Sequence, residues 1–80
     1  MTIGEACKIR INELCRERGI TLNKLAIISG ITQSTLNNIM SGRNKSTTVS
    51  TVKKICDGLE ITILDFFTSK VFEDLEQEIV

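Results

Sequence analysis

The stretch TLNKLAIISGITQSTLNNIMSG, residues 21–42, carries a run of uncharged amide and hydroxyl side chains. Four of them share one face of a predicted short helix: Gln33, Ser34, Asn37 and Asn38. Amides and hydroxyls both donate and accept hydrogen bonds. Leu36 and Ile39, three residues apart, mark the buried side of the same helix. The pattern therefore predicts a helical surface that can bind the polar edges of bases, with amides suited to adenine.

Two short helices meeting at a tight corner are expected to position that surface. Thr21 can cap the first helix and Thr32 the second, because a threonine hydroxyl accepts from an unpaired backbone N–H. Gly30 suits the left-handed end of the first helix. We predict helices over about residues 21–29 and 33–40, the second being the recognition helix of a helix-turn-helix.

A longer helix is predicted from about residue 3 to residue 18. Its inward stripe has helical spacing and consists of Ile3, Cys7, Ile11 and Leu14. Charged residues, Arg10 among them, lie largely off that stripe. Gly19 is expected to end the helix.

Two further helices are predicted after the recognition helix. Thr48 caps the one over about residues 49–59, whose inward residues are Val49, Val52, Ile55, Cys56 and Leu59. Gly58 within it costs roughly 1 kcal/mol relative to alanine, which indicates either close packing or early fraying. Thr62 caps a fifth helix in which Phe66 or Phe67 should close the core.

The C-terminal residues VFEDLEQEIV have apolar positions at helical spacing and an acidic outer face. A helix is predicted here, but a ten-residue helix is marginal in water unless it packs on its own domain or on a second copy. We divide the chain into a domain over residues 1–68 and a tail over 69–80. A dimer interface is expected near Phe67, Val71, Phe72, Leu75 and Ile79. The alternative is a monomer whose tail folds onto the first and fifth helices.

Length and composition exclude several classes of protein. Eighty residues form one small domain, and the absence of histidine, of cleft-forming carboxylate pairs and of a phosphate-binding glycine loop argues against an enzyme. Three cysteines without a CxxC pair (Cys7, Cys15 and Cys56) predict buried, reduced thiols rather than a metal or redox site. No apolar run approaches the roughly 20 residues of a membrane span, and no signal peptide is evident. We expect no cofactor, no membrane contact and a cytoplasmic location.

The net charge of zero conceals a polarised distribution. Residues 1–54 hold nine basic and three acidic residues, a net +6, whereas residues 55–80 hold one basic and seven acidic residues, a net −6. Such a chain can present a cationic face to phosphate. The polar loop after the recognition helix is either a plain linker or a phosphate-binding segment composed of Arg43, Asn44, Lys45 and Ser46.

Over about residues 9–67 the chain resembles the Cro/cI-type (Xre-type) helix-turn-helix family of bacterial and phage repressors. The resemblance depends on the family's spacing of Leu25, Ala26, Gly30, Ile31, Leu36 and Ile39. It implies an all-α, five-helix, lambda-repressor-like DNA-binding domain that binds operator DNA as a two-fold dimer. It also implies base contacts by Gln33, Ser34, Asn37 and Asn38, and phosphate neighbours at Asn23, Thr35 and Arg43.

Four positions depart from the family pattern. Leu22 stands where many members have a glutamine that touches phosphate or orients the first base-contacting glutamine. Cys15 and Met40 replace an arginine and a glutamate that often pair in the interior, and their joint replacement predicts an apolar contact between them. Glu60 stands where glycine is usual, so we expect slight backbone strain there.

Two functions fit these patterns. The leading one is a dimeric regulator, expected to be a repressor, whose helix 33–40 enters the major groove of a palindromic double-stranded operator. The alternative is an antitoxin or another protein-interaction module on the same fold, with the acidic tail as its binding helix.

Overall fold

The computed structural model describes residues 1–41 and 47–79, whose regular structure consists of helices without any strand. Five α-helices, α1 to α5, span Ile3–Arg18, Leu22–Ser29, Gln33–Ser41, Val49–Leu59 and Ile63–Phe67. One turn of 3-10 helix, Lys70–Phe72, follows α5. The predicted bounds of α1 and α4 are confirmed, and those of α2 and α3 agree to within one residue.

A threonine hydroxyl caps the N-terminus of each of the five α-helices. Each accepts a hydrogen bond of 3.0 to 3.1 Å from the backbone N–H three residues later, as Thr32 does from Thr35. Alanine at such a position costs about 1 kcal/mol. The predicted caps Thr21, Thr32, Thr48 and Thr62 are therefore confirmed.

The same three-residue corner occurs after α1, α2 and α4, as Gly19–Thr21, Gly30–Thr32 and Glu60–Thr62. Its first residue is left-handed, with φ of 64°, 67° and 58° respectively. Its second is an isoleucine that packs against the core and whose N–H donates to a carbonyl of the preceding helix at 3.0 to 3.2 Å. Its third is the threonine that caps the next helix. Glu60 is the one non-glycine with a positive φ in the described part of the chain, which confirms the expected strain.

The core lies between the helices and draws on all five. Its fully enclosed large side chains are Ile11, Leu25, Leu36, Ile55, Cys56, Leu59 and Phe66. Phe66 closes the core, and its ring centroid lies 5.0 Å from that of Phe67 and 6.0 Å from that of Phe72. Of the two adjacent phenylalanines, Phe67 is the one that remains partly exposed.

Helices α2 and α4 cross closely at Gly58. A Cβ at this position would lie 2.7 Å from Ser29 Oγ and 2.8 Å from the carbonyl oxygen of Ile28. These separations are shorter than any that real Cβ atoms show, so the crossing requires glycine. Of the two alternatives drawn from the sequence, close packing is the correct one.

Two predictions about burial are wrong. Val49, expected inward, is 75% exposed because α4 begins one turn before it reaches the core at Val52. Arg10, expected off the inward face, is buried. Its guanidinium donates to the carbonyl oxygens of Phe66 at 2.7 Å and Asp65 at 2.8 Å in the last turn of α5, and the Asp65 oxygen also accepts from the N–H of Thr68 at 3.2 Å.

The tail is not the continuous amphipathic helix predicted from its spacing. After the 3-10 turn, residues 73–79 have no regular helix. Phe72 packs against the core, Ser69 Oγ donates to Glu13 of α1 at 3.0 Å, and the N–H of Glu76 donates to the carbonyl oxygen of Met1 at 2.9 Å. A short segment gains more from these contacts than from helical propensity, so the tail folds back onto its own domain.

Candidate nucleic-acid interface

Helix α3 is anchored on one side and open on the other. Leu36 is fully buried and Ile39 is 6% exposed, whereas Gln33, Ser34 and Asn37 are exposed to solvent. Asn38, also predicted to contact bases, is half-buried. The structure thus brings the four predicted residues onto one short helix, with three of them exposed and Asn38 half-buried.

Hydrogen bonds within α3 hold several of these polar groups. Gln33 Nε2 donates to Asn37 Oδ1 at 3.3 Å, one helical turn away. The hydroxyls of Thr32 and Thr35 lie 2.8 Å apart, and Thr35 is half-buried. The exposed surface is therefore a partly ordered array of neutral donors and acceptors, and the described residues of α3 include no charged side chain.

The residues predicted to lie near phosphate are only partly described. Asn23 is exposed in the first turn of α2, and Lys24 beside it is exposed as well. Leu22 packs against the core, so this position offers no polar group. The loop residues Arg43, Asn44, Lys45 and Ser46 lie outside the described residues.

The charges of the domain are not all available to a ligand. Arg10 is occupied in the interior, and its Nη1 donates to Glu13 at 3.1 Å. Lys53 forms an ion pair with Asp57, and the hydrogen bond and negative charge of that carboxylate raise the pKa of the lysine. Cations that remain exposed include Arg16, Arg18 and Lys54.

The three cysteines are buried free thiols, and burial raises the pKa of each. Cys15 belongs to the core cluster and Met40 packs against that cluster. A direct contact between these two side chains stays a prediction. Over residues 1–41 and 47–79, no three histidine, cysteine or acidic side chains converge as a metal site, and no helix is long and apolar enough to cross a membrane.

A helix that follows a tight corner, is buried along one side and presents neutral polar groups on the other is the arrangement of a helix-turn-helix DNA-binding domain. The chain belongs to the family of Cro/C1-type HTH DNA-binding domains, whose profile matches residues 10–70. The predicted family and the all-α, lambda-repressor-like fold are thereby confirmed.

Two individual proteins are similar to the chain. One is the uncharacterized HTH-type transcriptional regulator RghRB of Bacillus subtilis (strain 168), 35% identical over 52 residues. That match covers 65% of this chain but only 37% of the relative's length. The other is the prophage Lp1 protein 11, whose crystal structure superposes with a TM-score of 0.82 at 33% identity, covering 94% of this chain and 99% of that one.

Proposed function

We propose that this chain recognises specific double-stranded DNA sequences as a transcriptional repressor, with α3 lying in the major groove. The observation that carries the proposal is the exposure of Gln33, Ser34 and Asn37 above the buried Leu36 and Ile39. A B-DNA major groove about 12 Å wide admits a helix, and a glutamine amide can form a bidentate pair with adenine. Half-buried Asn38 would contact a base from the same face.

Backbone contacts would supply affinity without specificity. Asn23, exposed in the first turn of α2, and Thr35 of α3 would donate to phosphate oxygens. Further contacts with the phosphates would come from the loop residues Arg43, Asn44, Lys45 and Ser46. Arg43→Ala should weaken binding to all sequences by similar factors and reduce the salt slope by about 1.

Two copies of the chain would bind a palindromic operator, with recognition helices about 34 Å apart. The exposed apolar residues near the C-terminal end support this proposal, since Phe67 is 38% and Ile79 87% exposed. Leu64, which sequence reasoning missed, is 77% exposed on α5. The rest of the proposed interface is half-buried and comprises Val71, Phe72 and Leu75.

The docked tail supports the opposite expectation, a monomer, because its contacts are already made with α1. Light scattering at micromolar concentration on the full chain, on Leu64→Glu and on a chain ending at Ser69 separates the cases. If the full chain is a dimer and Leu64→Glu is a monomer, the interface lies on α5. If only the truncated chain is a monomer, the interface lies in the tail over residues 69–80. A monomer in all three chains contradicts the dimer.

Selection of bound duplexes from a random pool tests the proposed function directly. We expect an enriched, two-fold symmetric sequence, and Gln33→Ala should reduce affinity for it by about 1–3 kcal/mol. Asn12→Ala is a matched control, because Asn12 is an exposed amide on α1. Equal loss in both variants, or no enriched sequence, contradicts readout by α3.

A protein-interaction module, for example an antitoxin, is the second candidate. The exposed Ile63 and Leu64 on α5 favour it, since adjacent exposed aliphatic side chains suit a protein partner. A stoichiometric complex with another protein, without retardation of any genomic DNA fragment, would establish this role in place of DNA binding.

A further inference from the structure

We propose that Asn37 acts on DNA recognition chiefly through Gln33, as a positioning residue that fixes the orientation of the glutamine amide. This inference rests on the proposed function, because it assigns a role within the α3 surface. The observation behind it is the hydrogen bond from Gln33 Nε2 to Asn37 Oδ1 at 3.3 Å. Both residues are exposed to solvent, so neither side chain is enclosed by the core.

The bond defines which atoms of Gln33 face outward. The glutamine amide has two N–H donors and one carbonyl acceptor. With one N–H directed at Asn37, the second N–H and Oε1 stay free, and these are the two atoms that pair with adenine N7 and N6. Rotating the amide by a half-turn would place two acceptors, Gln33 Oε1 and Asn37 Oδ1, against each other. If both amides turned together, Asn37 Nδ2 could donate to Gln33 Oε1, so the pair opposes rotation of the Gln33 amide alone and couples its orientation to that of Asn37.

The Gln33 side chain needs a hydrogen-bond partner to be ordered in the free protein. Gln33 is the first residue of α3, and its long side chain has several rotatable bonds. Residues four apart on a helix are neighbours, so Asn37 is in reach without distortion. Leu22, on the adjoining helix, packs against the core and contributes no hydrogen-bonding group. Within residues 1–41 and 47–79, the hydrogen-bond partner of the Gln33 side chain is Asn37.

Ordering a flexible side chain before binding lowers the entropy lost on binding. Removing Asn37 should therefore weaken the preference for the base pair that Gln33 contacts by about 2- to 10-fold. Preferences at other base pairs should change little, and this separates positioning from direct contact by Asn37.

The test is a double-mutant cycle of Gln33→Ala and Asn37→Ala, measured on duplexes substituted one base pair at a time in the selected site. We expect both single variants to lose preference at the same base pair, and Asn37→Ala to have no further effect there in the Gln33→Ala background. Asn37→Asp keeps the acceptor, so it should restore the preference while its charge lowers affinity for every duplex. Asn38→Ala is the control, because Asn38 has no hydrogen bond to Gln33 and should act independently.

A second readout requires no DNA. Side-chain nitrogen-15 relaxation of the free protein should show a more mobile Gln33 Nε2 in Asn37→Ala than in wild type or Asn38→Ala. Equal mobility in all three proteins overturns the positioning role even if DNA is bound. So does a preference lost at a different base pair, or strict additivity of the two variants. Failure of the wild-type protein to select any duplex instead overturns the proposed function and this inference together.

Discussion

Replacing Gly58 by alanine should destabilise the protein, although alanine is the better helix former. In an open helical position the exchange would stabilise by about 0.8–1.0 kcal/mol. At Gly58 the added Cβ would lie 2.7 Å from Ser29 Oγ and 2.8 Å from the backbone oxygen of Ile28. Overpacking of this kind costs about 1–3 kcal/mol. Because a backbone carbonyl cannot rotate away, we expect the steric cost to exceed the propensity gain, with a net loss of up to about 2 kcal/mol.

Urea unfolding followed by circular dichroism measures this loss as a lower midpoint at an unchanged slope. Ser29→Ala removes only one of the three contacts under 3.0 Å, since the carbonyl oxygen and carbon of Ile28 remain, so it should rescue Gly58→Ala in part. Gly30→Ala is the matched comparison: its Cβ would meet nothing within 4 Å, but its φ of +67° imposes strain on any L side chain. A Gly58→Ala protein more stable than wild type would refute the close crossing of α2 and α4.

Three further predictions concern stability. Glu60→Gly should stabilise the protein by about 0.5–1 kcal/mol in urea unfolding, since its φ of 58° strains a residue with a Cβ; no gain would mean that the strain is relieved elsewhere. Arg10→Met keeps the aliphatic stem but removes the hydrogen bonds to the Phe66 and Asp65 carbonyls, of which only Asp65 keeps another donor, the Thr68 N–H, so it should cost about 1–3 kcal/mol, and a loss below that of an exposed Arg18→Met would contradict the role of the buried guanidinium. The three buried thiols have raised pKa values, so their contribution to stability is present below about pH 9 and should decline above it as the unfolded chain releases thiol protons. Unfolding free energies that stay constant from pH 8 to about pH 10.5 in reducing buffer would contradict that expectation.

Local sequence signals were sufficient to predict most of the fold. Threonine caps, glycine ends and apolar stripes act within a few residues of one another, so α1 to α4 follow from short-range rules. The polar face of α3 was predictable for the same reason, since Leu36 and Ile39 determine which side is buried.

What the sequence did not reveal depends on distant partners. Arg10 is buried because it meets the end of α5, 55 and 56 residues further along the chain. The tail has helical spacing, yet Phe72 and Ser69 find better contacts on the core and α1. The spacing of four residues between Gln33 and Asn37 allows a hydrogen bond on a helix. Polar pairs at this spacing are common, however, so the sequence alone did not indicate that this pair would form one.

Three of the connections between successive helices are the same three-residue corner, at Gly19–Thr21, Gly30–Thr32 and Glu60–Thr62. Such a short connection fixes the angle between the two helices that it joins. Each turn is specified by its own three residues, so the tilt of α3 does not depend on the identity of its outward side chains. Under the proposed function, substitutions at positions 33, 34 and 37 would then exchange one target preference for another while the scaffold stays unaltered. A small domain of this design can diversify its partners by surface changes alone.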